Sequence, residues 1–233
     1  MQKVKTSDGS YTFYSTEADQ CYHTRTGAVE ESLKKHVEPS EILKKAESAE
    51  KIVIKNVFFG LAYNAIVAIA EIWKVNPDCV VELLAFENDY EIMHQLKDLE
   101  LPEEYQEAQE LMVKLIESEP SETKSTNLFK LHTLNEGKLK ALLFVGDARE
   151  TIKTISPDLL DVVFFDPFSP AKVPEMWTRQ FLVSIWRKMK KGGVLTTYSY
   201  ARMARTNLAD ANFIVKDGPT VGRRSPSTIA IKE

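Results

Sequence analysis

Cysteine is scarce in this chain. Cys21 and Cys79 are the two among 233 residues, far apart and in no CxxC or Cys/His spacing. That argues against a metal site and fits a reducing compartment. Long apolar runs are missing too. No stretch reaches the roughly 18 residues needed to cross a bilayer, and MQKVKTSDGS at the start lacks the apolar core of a secretory signal. The expectation is a cytoplasmic protein without metal or membrane partner. Internal repeats and a clear domain boundary are also lacking. With 43% hydrophobic and 27% charged residues, the chain has the composition of one sizeable globular core.

Net charge is small, −4, but unevenly spread. From Lys172 to Glu233 there are 12 Lys+Arg against 4 Asp+Glu, which leaves 18 against 30 for the rest. A basic third on an otherwise acidic chain points to a polyanion as partner, or to a solvated charged surface.

The most informative stretch is LLDVVFFDPFSPAKVPEMW, Leu159 to Trp177. A short apolar, β-branched and aromatic run stopped by Asp166-Pro167 reads as a buried parallel strand that delivers a carboxylate to its C-terminal edge. In open α/β sheets, ligands bind at that edge. Pro167, Pro170 and Pro174 stiffen the loop beyond. An Asp that merely caps the next helix is the alternative.

Upstream, Asp8-Gly9 with Tyr11 and Phe13 signals a hairpin. Tyr22-His23-Thr24-Arg25 follows, then a helix from Gly27-Ala28 to about His36. Tyr22 and Arg25 are placed to meet a nucleotide-like ligand or to pin this arm to the core; His23 alone is a weak signal. Pro39 to Glu50 reads as a charged helix or linker. Lys51 to Ile54 is a strand, Phe58 to Asn64 a turn, Ala65 to Trp73 a helix and Val80 to Phe86 a strand ending at Glu87. This unit opens a nucleotide-binding fold, with Glu87 able to accept from both hydroxyls of a ribose.

Amphipathic helices are expected over Tyr90 to Leu101 and Tyr105 to Glu117, then a linker over Glu117 to Asn127. Next comes a hairpin-like pair, Leu128 to Thr133 and Leu139 to Val145. The second arm ends at Gly146-Asp147-Ala148, where Asp147 suits the exocyclic amine of an adenine and Ala148 leaves room. Thr178 to Lys190 is a helix terminated by Lys190-Lys191-Gly192-Gly193. Val194 to Tyr200 is a strand, Ala201 to Ala211 a helix, and Phe213 to Val215 with Thr228 to Ile231 a final antiparallel pair.

With those strand ends in place, the chain resembles class I S-adenosylmethionine-dependent methyltransferases. It most resembles the family that completes 5-methylaminomethyl-2-thiouridine at the tRNA wobble position. The motifs are Asp8-Gly9-Ser10 with Tyr14-Ser15, Tyr22-His23-Thr24-Arg25 with Gly27-Ala28, and Gly146-Asp147-Ala148. Asp166-Pro167-Phe168-Ser169-Pro170-Ala171-Lys172 with Pro174-Glu175-Met176-Trp177, and Val221-Gly222-Arg223-Arg224, complete them.

The resemblance implies a doubly wound, Rossmann-like α/β sheet. It would be mostly parallel with an antiparallel strand near the C-terminus, preceded by an N-terminal hairpin and helix (residues 1–36) and carrying a helical insertion at 98–138, all in one domain. It implies S-adenosyl-L-methionine as cofactor, held by Tyr22, Gly60, Asn64, Glu87, Gly146, Asp147 and Ala148. Asp166 is the implied catalytic carboxylate, accepting a hydrogen bond from the substrate amine and helping, as a positioned base, to remove its proton. Phe168 and Trp177 would wall the base, and Lys172, Arg202, Arg205, Arg223 and Arg224 would meet tRNA phosphates. Bifunctional members add a flavin-dependent oxidase that this chain lacks, so the aminomethyl-uridine would come from another enzyme.

The chain departs from the family in one loop. Where the family reads G-F-G-T-G-x-N after an acidic residue, this sequence has Lys55 and then Phe58-Phe59-Gly60-Leu61-Ala62-Tyr63-Asn64. Phe58 and Ala62 replace glycines that allow positive φ and close approach, and Lys55 would repel the methionine ammonium. Two other readings stay open: a small-molecule amine methyl- or aminopropyltransferase, and a non-catalytic tRNA-binding relative.

Overall fold

The computed structural model describes residues 2–16, 18–122 and 129–233. Three short strands open the chain, β1 (Gln2–Lys5), β2 (Tyr11–Ser15) and β3 (Gln20–Cys21), paired antiparallel in that order. The expected hairpin is therefore a three-stranded sheet, its third member only two residues long. Helix α1 (Ala28–Glu31) runs straight into a π turn, Ser32–Val37, then a 3₁₀ turn and α2 (Ile42–Ala46).

The central sheet follows: β4 (Lys51–Val57), α3 (Tyr63–Val75), β5 (Val80–Glu87), α4 (Tyr90–His94), α5 (Glu103–Glu117), β6 (Ser121–Glu122), β7 (Phe129–Glu136) and β8 (Leu139–Gly146). It continues with α6 (Ala148–Thr151), β9 (Leu160–Phe165), α7 (Arg179–Lys188), β10 (Met189–Thr197), α8 (Arg202–Asp210), β11 (Ile214–Asp217) and β12 (Thr228–Ile231). Of the linker expected over Glu117 to Asn127, residues 123–127 lie outside the described residues, as does Leu128, while Glu117 ends α5 and Ser121–Glu122 form β6.

The sheet order is β11-β12-β10-β9-β4-β5-β8-β7-β6. Its five central strands, β10 to β8 in that order, are parallel, and an antiparallel strand pair closes each edge. The 98–138 region is thus not purely helical, since β6 and β7 extend the sheet. From β4 the chain winds one way through β5 to β8; β9 then returns to the other side of β4. The direction reverses between β4 and β9, and a crevice opens beyond the carboxyl ends of two such strands.

Side-chain alternation along β4 explains the two-sided core. Ile52 and Ile54 face α3 and α5, while Val53 and Val57 join a second cluster with α6, α7 and α8. Helix α3 is buried along most of its length, so YNAIVAIAEI is apolar nearly all round.

Lys190 to Gly193 do not end α7, as the cations and glycines suggested. They lie inside β10, where Met189 pairs with Leu160 and Val194 with Val162, so that β10 carries three extra residues. Gly192 takes φ +74°, and a Cβ on Gly193 would come within 2.8 Å of the Lys190 carbonyl oxygen. The glycines make the bulge.

Candidate functional site

A cavity of about 850 Å³ lies at the reversal point. The loop after β4 forms its floor. Phe58, Gly60 and Ala62 all have positive φ, 65°, 51° and 61°. Phe58 and Ala62, expected to restrict positive φ, both take it, at a cost of about 1–2 kcal/mol each. The loop is held by Phe59 N–H on the Phe86 carbonyl at 2.9 Å and Ala62 N–H on the Phe59 carbonyl at 2.8 Å.

Glu87, at the end of β5, is buried and lines the same cavity. Its Oε2 accepts from Gly60 N–H at 2.7 Å, and its Oε1 from Asn88 and Asp89 N–H at 2.8 and 2.9 Å. Burial outweighs these hydrogen bonds and pushes its carboxyl above the usual range. Asp89 caps α4 and accepts from the Tyr22 hydroxyl at 2.6 Å, which ties the N-terminal segment to β5.

Asp166 follows β9 directly, its N–H on the Val57 carbonyl at 3.2 Å. Its carboxylate is 11% exposed. Oδ2 accepts from Asn64 Nδ2 at 2.8 Å, and Oδ1 lies 3.7 Å from His36 Nε2. Burial pushes the carboxyl up, but attraction to His36, with a smaller attraction to His23, outweighs it and holds Asp166 below the usual range. It is ionised at neutral pH. The Tyr22 and Phe168 rings stand 5.0 Å apart at 59° in the same cavity.

A second buried cluster adjoins Asp166. Glu31 accepts from Lys35 Nζ and Thr24 N–H at 2.6 and 2.7 Å and lies 3.6 Å from His23 Nδ1. Burial raises the Glu31 carboxyl, but His23 and Lys35 more than compensate and drive it far down. Glu31, His36 and Lys35 escape sequence reading because a Glu-Lys pair four apart looks like a solvated helix face. The apolar Ala28 and Val37 around them are the faint signal that this turn is buried.

A smaller recess of about 150 Å³ is lined by Gly146, Asp147 and Ala148, with Phe58 and Glu87 common to both spaces. Asp147 caps α6 and is paired with Arg149, whose Nη2 is 2.5 Å from Oδ2. That hydrogen bond, with a smaller opposing effect of burial, lowers the Asp147 carboxyl.

Other expected residues stand elsewhere. Trp177 is fully buried in the second core cluster, edge-on to Phe165, and its Nε1–H donates to the Phe168 carbonyl at 3.0 Å. It cannot wall a base; it fixes the backbone of the residue that can. Lys172 is exposed, lines the cavity and lies 3.6 Å from Asp19. Arg205 is bound to Asp217 at 2.8 Å and packs on Tyr200, while Arg223 packs on Tyr198, a lining residue. Arg202 and Arg224 are exposed and do not line the cavity.

Lys55 does not line the cavity. Its side chain joins the opposite cluster, fully buried over the Phe86 ring, with no hydrogen-bond partner among the described residues. Burial alone drives its pKa well below that of an ordinary lysine. Among the described residues no helix is long and apolar enough to cross a membrane, and no group of three metal-ligating side chains occurs.

Comparison with known proteins agrees with this geometry. Residues 105–233 match a family model described as S-adenosyl-L-methionine-dependent methyltransferase. An uncharacterized protein of Methanocaldococcus jannaschii is 29% identical over 98% of this chain, which spans 59% of that protein. The tRNA 5-methylaminomethyl-2-thiouridine biosynthesis bifunctional protein MnmC of Aromatoleum aromaticum is 29% identical over 85% of the chain, which spans 30% of its length. The crystal structure of MNMC2 from Aquifex aeolicus superposes with a TM-score of 0.86 at 34% identity, over 99% of this chain and 70% of that one. Spermidine synthase from Thermotoga maritima shares the fold alone, at a TM-score of 0.57 and 9% identity. This chain belongs to the S-adenosyl-L-methionine-dependent methyltransferases, among the relatives of MnmC and MNMC2.

Proposed function

We propose that the chain transfers a methyl group to the aminomethyl nitrogen of 5-aminomethyl-(2-thio)uridine at the wobble position of tRNA. The observation that carries this reading is the ionised Asp166 at the sheet's reversal point, in one cavity with the aromatic rings of Phe168 and Tyr22.

The residues present fit the cofactor. A carboxylate has about four lone-pair sites. Backbone N–H groups take three on Glu87, leaving one for a ribose hydroxyl. Asn64 Oδ1 is buried without a hydrogen-bond partner, an acceptor suited to an ammonium. Gly60, Asn64, Glu87 and Tyr22 would hold the ribose and methionine ends, and Gly146, Asp147 and Ala148 the adenine. The cofactor supplies an electrophilic methyl group when bound.

Magnitudes decide what Asp166 does. A carboxyl near 3.9 cannot keep a proton taken from an amine near 10.4, a transfer uphill by about 9 kcal/mol. Asp166 therefore orients the neutral amine through a hydrogen bond, and its fixed charge stabilises the positive charge growing on nitrogen as the bond to carbon forms. Phe168 stacks the base, worth roughly 1–3 kcal/mol.

The deciding experiment follows labelled methyl from S-adenosyl-L-methionine into tRNA that carries the aminomethyl precursor. Incorporation at the wobble base is expected; none, with the cofactor bound, would sink the reading. Asp166→Ala should lower kcat about 10²–10³-fold while S-adenosylhomocysteine affinity stays within about three-fold. Turnover at the parental rate would remove Asp166 from the mechanism.

A small amine is the second reading, favoured by the carboxylates Glu31, Glu87, Asp89 and Asp166 that line one cavity. Labelled methyl recovered in a polyamine instead of tRNA would select it.

A further inference from the structure

We propose that His36 is a positioning residue for Asp166, holding that carboxylate charged and in place to receive the substrate amine; the inference rests on the assignment of Asp166 above. His36 is wholly buried on the π turn Ser32–Val37. Such turns are rare and cluster at functional sites. Its Nδ1 lies 3.1 Å from Thr196 Oγ1 on β10, and its ring is edge-on to Phe164 at 5.8 Å. Its Nε2 has no hydrogen-bond partner among the described residues and stands 3.7 Å from Asp166 Oδ1. A buried ring nitrogen left unpaired is costly, and a phenylalanine would fill the space without that cost. Here the nitrogen faces the one carboxylate whose other oxygen Asn64 already holds.

The remaining charged and titratable groups around Asp166 come from each packed element. His23 and Glu31 lie on the N-terminal segment and Tyr198 follows β10. Glu31 repels Asp166 but is itself bound to Lys35 and the Thr24 N–H. Among the described residues no other Lys, Arg or His nitrogen lies within 4 Å of the Asp166 carboxylate. Without His36, the Asn64 hydrogen bond and the weaker attraction to His23 are what remain to oppose burial of Asp166.

The test measures kcat/KM against pH for methyl transfer to aminomethyl-tRNA in the parent, His36→Phe and His36→Gln, with the Asp166→Asn single variant and the double variant. Below the titration of the amine itself, the acid limb steepens where Asp166 protonates. That break should move up by about one to three pH units in both His36 variants, and His36→Gln should recover part of the neutral-pH rate. Calorimetric affinity for S-adenosylhomocysteine, within about three-fold of the parent, checks folding; if His36→Phe fails this check, His36→Gln carries the test. In the Asp166→Asn background, losing His36 should cost less than about three-fold.

An unmoved break overturns the proposal, as does the full cost of His36→Phe persisting without the carboxylate, which would mean packing alone. Asp166→Asn at the parental rate would overturn the amine assignment itself. An inactive Asp166→Asn with an unmoved break would remove His36 only.

Discussion

The Lys55 amine, buried over Phe86 with Phe144 5.8 Å away, has neither a hydrogen-bond partner nor a counter-charge among the described residues. Lys55 is therefore a latent weakness of the sheet. Its folded pKa is depressed and its unfolded value is near 10.4, so between the two only the unfolded state holds the proton. Stability from this group is lost as pH falls and rises with pH up to the unfolded value, by about 1 kcal/mol per pH unit. Lys55→Met, of similar length, should stabilise the protein by about 2–4 kcal/mol at pH 7 and flatten that slope. Urea unfolding at pH 7, 8 and 9 measures both. Parallel slopes in parent and variant would show a lysine that is already solvated or paired.

The bulge in β10 matters at the scale of the element because it sets which residues meet β9. With three extra residues absorbed before Val194, Thr196 stands opposite Phe164 and faces His36. The two glycines there do different work. Gly193→Ala forces a Cβ against the Lys190 and Leu160 carbonyls and should cost about 1–3 kcal/mol. Gly192→Asn, with φ +74° and open space around it, should cost less than about 1 kcal/mol. Thermal denaturation of the pair separates them, and equal losses would contradict the bulge.

Sequence reading placed β9 and its terminal Asp166 because a β-branched and aromatic run stopped by proline has few other physical meanings. It placed Glu87 for a similar reason. Lys190-Lys191-Gly192-Gly193 was misread as a helix end because cations and glycine complete helices and also build bulges. Trp177 was misread because an aromatic near a loop is equally at home in the core. The cluster of Glu31, Lys35 and His36 stayed hidden, since its burial depends on packing against strands more than a hundred residues away.

At the scale of the whole molecule, the basic last third can act on a polyanion only through cations not already neutralised. Arg205 is bound to Asp217, whereas Arg202 and Arg224 are exposed. Affinity for the proposed tRNA should fall steeply between about 50 and 200 mM salt. Arg202→Ala and Arg224→Ala should each reduce the slope of log affinity against log salt by about one, measured by filter binding. A flat response would point to a small substrate.

Glu87 fastens Gly60 of one loop to Asn88 and Asp89 of the next. It is a staple before it is a ligand. Any variant there unpins two turns of backbone along with the proposed contact to a sugar, so weakened cofactor binding in Glu87→Ala would report how much the crevice is pre-shaped, and not what a single hydroxyl is worth.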